Sequence, residues 1–318
     1  MAIGDVRRPE GHDYNDPETN AHIWQVTDWH AHSHHPCFTN SGLWDGGRRL
    51  LVASHRNNAR NLYSLELASG ELTQLTDFSP TDRPRLPGTF VNPVRDEAYF
   101  VNGRQLLALD LRTGRQRSLF SAEQLAGPRM NLGSHSCTAD GKTIRAVLNE
   151  DLSEKLRLDL GHGHVGFPEY SAARPLSRVV AIDTDAGGGR VIHEERFWLG
   201  HMNTSPTLPE VATVCHEGPW AKIDQRMWRL DVATGEVSPL RQQVAGESIG
   251  PRGRASRRPW FVRTGSPEAN KRECIPPGPG PDDPSGGGER PAAGPVQTAP
   301  SWSARARPTC PRRTRRRR

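Results

Sequence analysis

The sequence predicts an all-β fold of the β-propeller type, on three observations. Four segments share one form, in which an alternating apolar strand leads through an acidic residue and a Gly-containing turn into a second strand: residues 63–77, 106–120, 179–194 and 227–241. Period-2 alternation on both sides of such a turn is the signature of a hairpin. Equivalent glycines recur at a propeller-like interval, Gly70 and Gly114 being 44 residues apart and Gly188 and Gly235 being 47 apart, enough for four short strands per unit. A half-copy, DPETNAHIWQVTD at 16–28, opens the chain with no strand before it and predicts a C-terminal partner that completes its sheet. About five blades are recognisable. A β-sandwich of irregular hairpins is the alternative.

Taken in order, the chain first gives WHAHSHH at 29–35, where His30, His32 and His34 recur at period 2 and would face one side of a strand. That spacing could hold a transition metal, or the strand could lie solvated. The long gap between Gly114 and Gly188 implies an insertion at 151–178. Residues 198–228, WLGHMNTSPTLPEVATVCHEGPWAKIDQRMW, are denser in polar and ring-bearing groups than a core needs, and they read as the wall of an active site. Gly200, Pro206, Pro209, Gly218 and Pro219 punctuate that stretch and should place His201, His216, Glu217 and Arg226 at strand ends and loop tips. His135, His162 and His164 are weaker candidates.

Charge divides the chain. Residues 1–250 carry 26 Lys+Arg against 31 Asp+Glu, whereas 251–318 carry 16 against 5, so the net +6 belongs to the tail. No export signal and no apolar run long enough to span a bilayer is visible, and a cytoplasmic setting is the default. Five cysteines, Cys37, Cys137, Cys215, Cys274 and Cys310, are scattered without a C-x-x-C pair and read as free thiols.

The ordered set W-L-G-H (198–201), C-H-E-G-P (215–219), D-Q-R-M-W (224–228) and G-E-S-I-G (246–250) resembles the oligogalacturonate lyases, a family of pectin-degrading propellers. The resemblance covers about 16–250. It implies a seven-bladed propeller, here incomplete, that acts on short unsaturated galacturonides in the cytoplasm with a divalent metal, typically manganese. Such a lyase removes the C5 proton beside a uronate carboxylate and expels the 4-linked oxygen. A cation must hold the carboxylate while an enediolate develops, and a base of near-neutral pKa takes the proton. By resemblance Arg226 is the active-site arginine, its bland alternative being an ion pair with Asp224 or Glu217. His201, His216 and Glu217 are assigned to substrate contact, as are His34 and His35, since the resemblance places an H-S-H-H-like segment on the first blade facing the channel. The bland alternative for the histidines is a strand-end ring satisfied by backbone.

The departure from the family comes after Gly250. Family members continue from G-E-S with the histidine proposed as catalytic base, and here the position is Pro251. All 13 histidines precede residue 250, so the downstream metal ligands that the resemblance implies, a lone His and a Gln-x-x-His-x-His cluster, have no counterpart.

Residues 251–318 hold 13 prolines, a Gly run at 286–288 and a closing PRRTRRRR, with no strand period. They read as a disordered tail, either a linker, a basic arm of non-specific nucleic-acid affinity, or out-of-frame translation. The last reading is preferred. The nonapeptide 251–259 can be written CCA CGA GGT CGG GCG AGC CGA CGG CCG, which one base later reads His-Glu-Val-Gly-Arg-Ala-Asp-Gly, the segment the family carries there. The expected organisation is thus a partial propeller at 1–250 and a Pro/Arg/Gly-rich tail at 251–318. The expected function is an oligogalacturonide lyase-like protein, impaired or inactive in this chain. A non-catalytic TolB-like propeller that binds acidic glycans or a protein is the alternative.

Overall fold

Each of the four repeated segments forms the outer hairpin of an antiparallel sheet. The computed structural model describes residues 2–36, 39–160, 163–244, 248–250, 260–266 and 269–275. Its strands pair in chain order. Arg85–Val91, Glu97–Asn102, Gln105–Asp110 and Gln116–Ser121 make one four-stranded sheet; Met130–Cys137, Thr143–Glu150, Leu176–Asp183 and Gly187–Arg196 make the next; Leu199–Thr204, Val211–His216, Met227–Asp231 and Val237–Pro239 make a third. Ahead of them lies a sheet built on Arg49–Ser54, Asn61–Glu66 and Leu72–Gln74. Its first strand is split into Ser33–His34 and Leu43–Trp44, and Val6–Arg7 is added on the outer edge.

The turns explain the repeat. In three of them an aspartate opens the turn and its carboxylate accepts two backbone N–H groups ahead of it: Asp110 from Arg112 and Thr113, Asp183 from Asp185 and Ala186, Asp231 from Ala233 and Thr234. Gly114 and Gly235 then take φ of 72° and 76°, a region that side chains disfavour.

Apolar residues face across successive sheets rather than within one. Leu51, Leu62 and Leu75 meet Leu86, Phe100 and Leu109; Phe90, Tyr99 and Phe120 meet Leu132, Ile144 and Ile182; Val147, Val179 and Ile192 meet Leu199, Met202 and Val214. Each such buried side chain contributes about 1.5–3 kcal/mol. The insertion lies inside a sheet, between Thr143–Glu150 and Leu176–Asp183, and contains the helix Phe167–Ala172. Its Tyr170 donates to the Glu150 carbonyl and packs edge-on against Trp198, so the excursion is anchored under the wall at 198–228.

Two expectations are corrected. The segment 16–28 is not an orphan: its strand His22–Gln25 pairs with His12–Asn15, a polar and wholly exposed strand without the apolar alternation that marks a strand in sequence. Beyond Gly250, where no strand period was read, Trp260–Ser266 and Ala269–Ile275 form a hairpin that pairs with Ser248–Gly250. The Trp-Phe-Val-Arg-Thr run at 260–264 is rich in aromatic and β-branched residues, a local propensity hidden by the Pro/Arg average of the tail. Pro251 and residues 276–318 lie outside the described residues.

Among the described residues, no helix is long and apolar enough to cross a membrane.

Candidate active site

The strand Leu199–Thr204 is the first of its sheet, and it is broken early. Gly200 pairs with Cys215 and Asn203 with Thr213, so His201 and Met202 bulge opposite Val214. His201 sits there at φ 46°, a strained conformation for a residue with a Cβ. The bulge brings its Nε2 to 3.1 Å from Oε1 of Glu217, which follows the second strand. Gly200 is required for a different reason: a Cβ there would stand 2.7 Å from Cγ and Oε1 of Glu217. The W-L-G-H motif thus leaves room for one carboxylate and aims an imidazole at it.

Arg226, one residue before the third strand, completes the group. Its Nη2 donates to Oε2 of Glu217 at 2.8 Å, and both side chains are buried. Burial, the largest influence on the Glu217 carboxyl, pushes its pKa up, but the hydrogen bond from His201 and the Arg226 charge outweigh it and hold the group below its ordinary value. Nε and Nη1 of Arg226 are buried without a hydrogen-bond partner, and the guanidinium carbon lies 5.3 Å from the ring centre of Trp220, an exposed tryptophan. The ion pair that was the bland reading of Arg226 therefore exists, and it occupies only one of the three guanidinium nitrogens.

His216 joins a different cluster. Its Nε2 is 3.2 Å from Oε2 of Glu195, whose Oε1 lies 3.1 Å from Nε2 of His193, and its ring stacks on Phe197 with centres 3.8 Å apart. Burial raises the Glu195 pKa, yet the hydrogen bonds from the two histidines and their charges bring it down to about 2; the bond to Glu195 in turn raises His193. The four residues read together from sequence are thus divided between two carboxylates.

The early histidines also separate. His35 is turned onto its own chain, with Nδ1 2.7 Å from the Pro36 carbonyl and Nε2 2.8 Å from the Ser41 carbonyl. His34, on the split first strand, has its ring 6.0 Å from that of His32 and 5.2 Å from that of His55. His30 leaves this group and lies against Trp29. His135 is a core residue, its Nε2 3.0 Å from the Tyr99 carbonyl and its pKa lowered to about 4 by burial. His164 packs against Phe167, and His162 lies outside the described residues. Cys137 and Cys215 are free and buried, and burial raises both thiols, Cys137 to about 12; Cys37 and Cys310 lie outside the described residues.

His55, Glu195, His193 and Trp220 were not singled out from sequence. Only His55 carried a signal, an imidazole at the end of a second strand: it directly follows Arg49–Ser54, and His216 closes Val211–His216.

Among the described residues, no group of three or more His, Cys, Asp or Glu side chains is arranged to hold a metal ion. The described residues therefore do not fit the metal that the resemblance implies.

A model of the family described as oligogalacturonate lyase matches residues 1–254. The chain is 25% identical over 249 residues to the oligogalacturonide lyase of Pectobacterium atrosepticum and 26% identical over 249 residues to the oligogalacturonate lyase of Dickeya dadantii. Each alignment covers 78% of this chain and 62% of the relative, so the chain spans about 62% of the length of the curated relatives it matches. In structure it is similar to an oligogalacturonate lyase in complex with manganese, with a TM-score of 0.71 at 23% identity, covering 86% of this chain and 74% of the other. The oligogalacturonate lyase of Vibrio parahaemolyticus gives a TM-score of 0.70 at 22% identity over the same shares. These likenesses establish the β-propeller fold. With four-fifths of its length matched by the family model, the chain belongs to the oligogalacturonate lyase family.

Proposed function

We propose that this chain holds the uronate-recognising part of an oligogalacturonide lyase site and is impaired in elimination. One observation carries the reading: Arg226 is buried and fixed through Nη2 by Glu217, while Nε and Nη1 lack a partner. A guanidinium so held can donate to a uronate carboxylate once the groups that cover Nε and Nη1 move aside, and its charge then stabilises the enediolate as it develops. Trp220 lies beside it and offers an apolar face to a sugar ring. His201, turned by the bulge and polarised by Glu217, sits within the same group as a second donor to the ligand.

The position at which the family carries its proposed base is Pro251, and proline takes no proton. General-base catalysis supplies about 10²–10⁴-fold. Elimination in this chain is accordingly slow or absent, while recognition persists. The reading extends to a cytoplasmic protein of pectin breakdown whose residues 251–318 are encoded out of frame.

Titration calorimetry with galacturonate and its short oligomers, combined with an ultraviolet assay for the unsaturated product, tests this. Binding lost in Arg226→Ala, with no product formed, is the expected pattern. Robust turnover would overturn the impairment, and turnover abolished by His201→Ala would move the base to His201. The nucleotide sequence across codons 248–260 tests the frame independently. A single-base correction should restore His at position 251 and lyase turnover, and a corrected frame without the His-Glu segment would refute the shift.

A further inference from the structure

The registers of two sheets superimpose a second set of basic residues on the site. In the sheet that begins with Leu199–Thr204, Gly200 pairs with Cys215 and Cys215 with Met227; in the first sheet, Ser33 pairs with Ser54 and Ser54 with Asn61. His34, one residue after Ser33, then corresponds in order to His201, though it pairs with Ala53 where His201 bulges, and Arg60, one before Asn61, corresponds to Arg226. His55 directly follows Arg49–Ser54 and His216 is the last residue of Val211–His216, so these two also correspond. Both groups therefore lie at the same end of the strands, where first strands begin and second strands finish.

What the first sheet lacks is the acid. Two residues past Cys215 stands Glu217, whereas two past Ser54 stands Arg56, which is fully buried and ion-paired with Glu10. His32, His34, His55 and Arg60 take part in no side-chain hydrogen bond or ion pair among the described residues. They are also open to solvent, His32 and Arg60 being exposed and His34 and His55 half-buried. The charged groups that act on His55 are His34, Arg60 and His32, without a carboxylate among them, and with burial as the largest influence they lower its pKa. Three imidazoles in mutual ring contact, with the Arg60 charge and no carboxylate acting on His55, favour an incoming anion.

We propose that His34, His55 and Arg60, flanked by His32, form a second carboxylate-binding subsite that takes a uronate other than the one held by Arg226. This rests on the reading of the chain as a galacturonide-binding protein. The ligand is an acidic sugar chain of at least two uronates, since one carboxylate goes to each cluster. Anion binding favours the charged form of His55, whose pKa burial and the neighbouring basic groups lower, so affinity for the chain rises as pH falls from about 7.5 toward 5.5.

The test is calorimetric titration of the full chain with galacturonate and with trigalacturonate at both pH values. Arg60→Gln removes an exposed side chain without an ion pair and leaves the fold intact; His55→Gln is the second variant. Each is expected to weaken trigalacturonate binding about tenfold, the scale of one charge-assisted hydrogen bond, and His55→Gln to flatten its pH dependence. Galacturonate binding should be unchanged in both, and Arg60→Lys should recover most of the loss. Trigalacturonate affinity and pH dependence equal to the parent in both variants would overturn the subsite while leaving the Arg226 reading intact. Monomer binding insensitive to Arg226→Ala, with trimer binding still sensitive to Arg60→Gln, would instead overturn the Arg226 reading alone. A parent chain that binds neither sugar refutes both.

Discussion

Glu217 and Arg226 meet in a buried pair, Oε2 to Nη2 at 2.8 Å, and the other carboxylate oxygen of Glu217 is 3.1 Å from His201. One acid therefore fixes both the guanidinium and the imidazole of the site. Removing its charge leaves a guanidinium in the interior with no counter-ion, which typically costs about 3–5 kcal/mol. Glu217→Gln is expected to lower the thermal midpoint sharply. The double variant Glu217→Leu/Arg226→Met, which removes both charges, should be closer to the parent. Equal loss in the two would show that packing, and not the charge pair, sets stability here.

Gly200 gives a narrower probe. An added methyl meets the Glu217 side chain at 2.7 Å, so Gly200→Ala should cost about 1–3 kcal/mol by overpacking and displace the carboxylate from His201. Galacturonide affinity should fall along with stability. A variant that melts lower but binds normally would separate the Glu217–His201 contact from recognition.

The His193–Glu195–His216 cluster makes stability pH-dependent in two directions. Glu195 has its pKa depressed to about 2, so its contribution is present above the unfolded carboxylate value of about 4.3 and is lost as pH falls toward 2. His193 has its pKa raised, so its contribution is present below the unfolded value of about 6.5 and disappears as pH rises through the folded one. The difference in urea midpoint between the parent and Glu195→Gln should therefore peak between about pH 4.5 and 6.5 and shrink on either side. A difference flat from pH 4 to 9 would refute the coupling.

Arg56 and Glu10 tie the N-terminal segment to the first sheet. Arg56 is wholly buried, donates from Nη2 to Glu10 at 2.8 Å and lies 5.5 Å from the Trp29 ring centre and 5.6 Å from that of Tyr63. Arg56→Met should expose residues 8–30 to limited proteolysis, with a stability loss on the order of 3–5 kcal/mol from the stranded carboxylate. Adding Glu10→Gln to it should recover part of that loss.

The repeated hairpins were legible because a turn of Asp, Thr and Gly needs specific side chains and cannot be disguised. The His201–Glu217–Arg226 group was legible as a set of residue types, though not as a set of partners. Whether His216 would share a carboxylate with Glu217 or with Glu195 depends on the neighbouring sheet, a contact 21 residues away that no local pattern encodes. The same holds for His55, whose meaning appears only when Ser54 is seen paired with both Ser33 and Asn61. The strand His12–Asn15 escaped because a fully exposed strand has no reason to alternate.

Because strands pair in the order in which they are made, each sheet can close within a short length of newly synthesised chain, and slow searches between distant segments are few. Its apolar face, however, is covered only when the following sheet arrives: Phe90 and Phe120 wait for Ile144 and Ile182, and these precede Leu199 and Val214. During translation the protein thus carries one uncovered greasy face that travels along the polypeptide with the ribosome. The moment most exposed to misassociation is the pause at 151–175, when Thr143–Glu150 must wait through a whole excursion for its partner Leu176–Asp183.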